Sequence, residues 1–234
     1  MSEQMNLQNW TRKAVVFYIF GVIQVNILSI FAVIFYPGGT KLNPVTPGYT
    51  FWMNYISDLG RTRAFSGVPN TVSQILFTVM EVIWSLAFIV LFLALTSFLI
   101  GSQKRKWLSF GGGIFAVISG LALIGVIFAP EDIYSELHIL FAVVYYLAMA
   151  LTAIFNALAI FLDKKLSEKY VIVLITLLIL LLIYAIIAVI GLNIPLTPEW
   201  LMIYVVGQKV ITYTLLAATC LLSYGMWKLS IKKS

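Results

Sequence analysis

The chain is expected to fold as an all-α polytopic membrane protein: a six-transmembrane-helix antiparallel bundle with both termini cytoplasmic and a structured outer loop. Two observations carry this. Hydrophobic residues make up 62% and charged residues 10% of its 234 positions, whereas soluble domains carry about 45–50% and about 25%. The charges also gather in short blocks between long apolar runs, as in a chain that crosses a bilayer repeatedly. A soluble globular domain, a disordered chain and a nucleic-acid-binding domain are excluded by the same composition.

A helix needs about 20 apolar residues to cross about 30 Å of hydrocarbon. Six runs meet this, at about 14–36, 72–100, 108–128, 137–162, 170–192 and 201–227. They form a single domain. The first run is longer than a signal-peptide core, and Tyr36-Pro37-Gly38-Gly39 follows it instead of a small-residue cleavage site. It reads as a retained helix. The second and sixth runs exceed the minimum, so they tilt or extend beyond the bilayer. Strands of alternating polarity are absent from the pattern, which excludes a β-barrel.

Lys and Arg set the orientation. One set of loops holds Arg12, Lys13, Lys104, Arg105, Lys106, Lys164, Lys165, Lys169, Lys228, Lys232 and Lys233. The other set holds Lys41, Arg61 and Arg63, and Lys209 lies inside a span. The first set is therefore the cytoplasmic side of a multi-pass protein of the cell membrane. The net charge of +6 becomes a topology signal and an attraction to anionic inner-leaflet lipid. Cys220 is the single cysteine, so neither a disulfide within the chain nor a cysteine metal site is expected.

All seven prolines fall on the opposite, outer side, and the outer loop 37–71 is the longest connection. Loops of this length are unusual unless functional or disordered. Disorder conflicts with Tyr49, Phe51, Trp52, Met53, Tyr55 and Ile56 in one stretch,. Phe51, Trp52, Tyr55, Ile56 and Leu59 share one helical face, which predicts a short helix in the outer interface or folded over the bundle.

The segment Asn54-Tyr55-Ile56-Ser57-Asp58-Leu59-Gly60 resembles the motif after the first span in six-helix proteins of the domain of unknown function 998 type. It also resembles their relatives in the damage-regulated autophagy modulator and post-GPI-attachment lipid-remodelling superfamily. Phe128-Ala129-Pro130-Glu131-Asp132, followed by Ser135-Glu136-Leu137-His138, is similar to the Pro/Asp turn and His of the same proteins. The resemblance implies a six-helix fold, an archaeal or bacterial source and an outer polar site. It implies no particular reaction.

Two constellations are candidates for function. The outer site comprises Ser57, Asp58, Arg61, Arg63, Glu131, Asp132, Glu136 and His138. Ser57, Asp58 and His138 are the residue types of a hydrolase acting on lipid or a lipid-linked substrate. They equally suit helix caps and turns. The acids and arginines suit a structural ion-pair network. One His is too few for a zinc enzyme, so no metal and no cofactor is expected.

The intramembrane polar layer comprises Gln24, Asn26, Glu81, Gln208 and Lys209. Counted at 1.5 Å per residue, Glu81 and Lys209 both lie roughly 14 Å below the outer boundary. A Glu81–Lys209 ion pair would offset the burial of each, and a polar cavity or a proton-coupled transport path is the alternative. Gly112, Ala116 and Gly120 recur every four residues on the third span, as in closely packed helices. The leading functional expectation is a non-catalytic protein that binds membrane lipids or a partner protein. An outer-face enzyme and a small transporter are the alternatives.

Overall fold

The computed structural model describes residues 2–99, 103–163, 166–191 and 193–231. Six helices long and apolar enough to cross a membrane account for most of them. These are α1 (Ser2–Ile34), α2 (Thr71–Leu99), α3 (Gln103–Phe128), α4 (Ser135–Asp163), α5 (Lys169–Gly191) and α6 (Pro198–Ser230). No strand occurs among the described residues. The expected ends at 100 and 192, with Lys164, Lys165, Lys232 and Lys233 of the basic set, lie outside the described residues, as do the side chains of Lys104 and Arg105. α1 and α6 run well beyond their apolar cores, because Arg12 and Lys13, and Trp200 with Glu199, are compatible with helix outside hydrocarbon. Thr197 caps α6: its hydroxyl accepts the Trp200 N–H at 3.3 Å, and Pro198 occupies the first turn, where its missing N–H costs nothing.

Each helix packs on its neighbours in sequence, and α6 returns to α1. The short connections make this an up-and-down ring. Arg12 Nη2 donates to the Ser230 carbonyl at 2.6 Å, which brings the start of α1 to the end of α6. α2 is the most buried span and α5 the least. Tyr18, Phe92, Leu91, Leu95, Met149 and Ile160 lie in the main apolar core. A smaller core under the long loop joins Ala32, Tyr36, Leu59, Phe77, Met80 and Ile127.

The small residues of α3 face inward. A Cβ on Gly112 would lie 2.4 Å from the Asn156 amide of α4, and one on Gly120 would lie 2.5 Å from Ile89 of α2. α3 is thus held close to both neighbours within one chain.

The connection between α1 and α2 forms a folded cap. It contains isolated bridges Gly38–Pro47 and Arg63–Pro69 and one turn of 3₁₀ helix, Ile56–Gly60. The helical face expected over 51–59 does not form. Residues 51–53 make a turn and Tyr55 is extended (φ −66°, ψ 157°). The reason is local. The Asn54 side chain accepts the Thr50 N–H at 2.9 Å, and Asp58 accepts the Tyr55 N–H at 2.8 Å. Short polar side chains that take up backbone groups in this way compete with helix. Phe51 and Trp52 are consequently about half exposed, edge to face at 4.9 Å, while Leu59 is buried.

Candidate functional site

The cap is built around Asn54, which is fully buried. Besides accepting from Thr50, its amide donates to the Gly39 carbonyl at 3.0 Å and to Asp58 Oδ2 at 3.1 Å. Its own carbonyl accepts from the Tyr49 hydroxyl (2.9 Å) and from the Lys209 ammonium of α6. Asn70, also fully buried, donates to the Leu59 and Arg61 carbonyls, both at 2.9 Å. Gly60 meets α2 so closely that a Cβ there would lie 2.5 Å from the Phe77 ring.

On the rim, Arg61 pairs with Glu131 and lies 3.9 Å above the Phe65 ring. Lys41 approaches Glu131 at 3.9 Å. Asp132 accepts the N–H groups of Thr62 (3.0 Å) and Arg63 (2.9 Å) and the Thr62 hydroxyl. Burial alone would raise the Asp132 pKa, but these hydrogen bonds outweigh it and hold the carboxyl below its ordinary range,. Arg63 Nη1 turns to the Gly67 carbonyl at 3.0 Å.

Asp58 behaves oppositely. Burial pushes its carboxyl from 3.8 up to about 6, against the hydrogen bonds from Asn54 and Tyr55 and the charges of Arg61 and Lys209. Burial, with Asp58 nearby, also lifts the Tyr36 phenol to about 12. The Asp58 shift has a consequence for the cap. Between about pH 4 and 6 the folded state holds a proton that the unfolded chain releases, so stability falls as pH rises through that window. Asp58→Asn keeps an acceptor for both N–H donors and removes the titration. Compared with wild type from pH 4 to 7, its thermal unfolding midpoint is expected to lose this decline. A parallel pH profile for the two proteins would refute the assignment.

Beneath the cap is a cavity of about 630 Å³, within the range of about 300–1,000 Å³ usual for ligand sites. Tyr55, Ser57, Asp58, Lys41, Glu131 and His138 line its cap end, while Glu81, Trp84, Tyr145, Tyr146, Tyr184 and Gln208 line it deeper. Ile139, Val143 and Leu147 of α4 and Leu182 and Val189 of α5 line it too. All five are exposed on the outside of the bundle, so the cavity opens sideways between α4 and α5. A second cavity of about 250 Å³ lies on the α1–α6 side and shares Glu81 with the first.

The match to a family model spans residues 29–222, and that model is described as a protein of unknown function, DUF998. The chain belongs to the DUF998 family. The match takes in the whole cap, the lining of both cavities apart from Val25 and Asn26, and every candidate residue except Gln24 and Asn26. No curated protein and no solved structure matches this DUF998 chain.

In this DUF998 protein the outer candidates divide into two groups. Ser57, Asp58, Glu131 and His138 reach the cavity, Arg61, Arg63 and Asp132 frame the cap, and Glu136 is exposed on the first turn of α4. The His138 Nδ1 lies 2.8 Å from the Ala129 carbonyl just beyond the end of α3. Among the described residues no hydrogen bond joins Ser57 or Asp58 to His138, so the residue types of a hydrolase are present without their relay. No cluster of three His, Cys, Asp or Glu able to hold a metal occurs among the described residues.

The intramembrane layer also divides, and the expected Glu81–Lys209 ion pair is absent. Lys209 bends up to the Asn54 carbonyl, with its ammonium 4.9 Å from the Phe51 ring centre and 5.5 Å from that of Tyr49. Gln208 Oε1 accepts the Ile56 N–H at 2.8 Å. Both residues therefore bolt α6 to the cap. Gln24 is buried and donates to the Met80 carbonyl at 2.8 Å, tying α1 to α2. Asn26 is exposed and donates to Val22 of its own helix at 2.8 Å. Glu81 is left facing the cavities. Sequence reasoning missed Asn54, Asn70, Trp84 and the Tyr145-Tyr146 pair as site residues. The two tyrosines stand out only as adjacent phenols within a span, in a chain that has 12 tyrosines.

Proposed function

We propose that this membrane protein is a non-catalytic binder of a single membrane amphiphile, held in the cavity beneath the cap with its apolar part along α4 and α5. The lateral opening carries this reading: Val143, Leu147, Leu182 and Val189 line the cavity and are exposed on the bundle surface. An apolar chain already in the bilayer meets no polar barrier there, and the same cavity offers a headgroup polar side chains at two levels, Ser57, Asp58 and His138 at the cap end and Glu81 deeper,. The resemblance of the 54–60 segment to the motif of the lipid-remodelling superfamily supports the same reading. We further propose that the cap faces outward from the cell membrane and that the termini are cytoplasmic, on the strength of the Lys and Arg distribution.

Native mass spectrometry of the protein released from lipid nanodiscs tests the amphiphile. One bound amphiphile per chain is expected. Leu182→Trp, which fills the opening, is expected to lower occupancy at least fivefold while leaving the thermal unfolding midpoint within a few degrees. Full occupancy in that variant, or no adduct in the wild type, would sink the proposal.

A further inference from the structure

Glu81 is an acid in the membrane interior with no partner among the described residues. It is 9% exposed. Among the described residues its carboxyl has no hydrogen bond and no ion pair, and it lines both cavities. A lone charge at bilayer depth costs at least about 2.5–3.5 kcal/mol and is rarely kept without a partner. The basic side chain at comparable depth, Lys209, is committed to the Asn54 carbonyl and two aromatic rings. Gln24 and Asn26 spend their donors on backbone carbonyls. The complement to Glu81 is therefore missing from the described residues.

The surroundings indicate what that complement is. Trp84, one turn along α2, lines the larger cavity with Tyr145, Tyr146, Tyr184 and Tyr55. Aromatic faces attract cations, ammonium groups above all. The charges agree independently. Asp58, Glu81 and Glu131 line this cavity; Glu131 is paired with Arg61 and approached by Lys41, and Asp58 accepts from Asn54 and Tyr55, so Glu81 is the carboxyl of the three without a partner among the described residues. A phosphate or carboxylate group at this depth would face the like charge of Glu81 with no cation beside it among the described residues.

We propose that Glu81 is the counter-ion for a lipophilic organic cation, an amine or quaternary ammonium whose apolar chain leaves between α4 and α5. This rests on the reading of the cavity as an amphiphile site and names its ligand class. The cationic group would sit between the Glu81 carboxylate and the rings of Trp84, Tyr145 and Tyr146.

The test uses the full chain in phosphatidylcholine nanodiscs and two photoreactive probes. One is a diazirine-bearing dodecylamine and the other the matching dodecanol. Labelled residues are mapped, and labelling is competed with dodecyltrimethylammonium. In the wild type the amine is expected to label the α4–α5 lining at concentrations at least tenfold lower than the alcohol. Glu81→Gln is expected to erase that preference and weaken competition tenfold or more, with alcohol labelling unchanged; Glu81→Asp should restore part of it. Equal labelling by the two probes in the wild type would overturn the counter-ion assignment without needing any variant, and would leave the amphiphile site standing. An amine preference that survives Glu81→Gln would do the same. Failure of both probes to label the lining would overturn both proposals.

Discussion

Replacing Asn54 with alanine is expected to unfold the cap, at a cost of about 3 kcal/mol or more. The amide makes three hydrogen bonds: from Thr50 N–H, to Gly39 O and to Asp58 Oδ2. Alanine strands these partners in a buried site, and each buried polar group left unpaired costs about 1–3 kcal/mol. Asn54→Asp should do no better, because it keeps the acceptor for Thr50 but sets a second carboxylate against Asp58. Limited proteolysis in nanodiscs reads the outcome. Cleavage within 37–70 should become fast in both variants while the six helices stay intact. Wild-type resistance in Asn54→Ala would show that the network is dispensable.

Gly39→Ala is expected to do comparable damage through the backbone. Gly39 has φ +84°, and a Cβ there would lie 2.4 Å from the Ser66 nitrogen and 2.6 Å from the Phe65 carbonyl carbon. Those are main-chain atoms, and Ser66 N–H is itself bonded to Gly38 O at 3.1 Å, so no side chain can swing aside. Gly67 isolates the contribution of the clash. Its φ is +82° with nothing within 4 Å of a Cβ, so Gly67→Ala should show only the left-handed backbone cost of about 1–2 kcal/mol. The thermal unfolding midpoint should fall clearly further for Gly39→Ala than for Gly67→Ala. Equal falls would place the strain in φ alone.

The spans were legible because hydrocarbon thickness imposes their length, and apolar runs of that length are hard to hide. Hydropathy marks hydrocarbon contact rather than helix ends, so it missed the extension of α1 toward the N-terminus, whereas the length of the sixth run already pointed to tilt or extension beyond the bilayer. The cap was legible as structured, from its turn formers and aromatic residues. Its local conformation was not. Spacing placed Phe51, Trp52, Tyr55, Ile56 and Leu59 on one face, but Asn54 and Asp58 take up the backbone donors that a helix there would need. Depth along α2 and α6 placed Glu81 and Lys209 level with each other. It could not reveal that a lysine stem is long enough to carry its ammonium up to the cap, nor which way each residue faces around its helix. The cavity draws its walls from all six helices and the cap, and no local pattern encodes such a convergence.

On the proposed reading, in which the cavity holds an amphiphile, the position of the opening determines how it fills. A molecule entering between α4 and α5 comes from the leaflet and never crosses open water. Occupancy then follows its mole fraction in the membrane, and exchange follows two-dimensional diffusion. α5, the least buried of the six helices, forms one doorpost, whereas Gln208 and Lys209 anchor the cap to α6. The roof is tied to α6, whereas the α5 wall has the least of its surface buried in the bundle. Changes in bilayer thickness or lateral pressure, which act on helices, should therefore alter ligand exchange more than changes on the aqueous side.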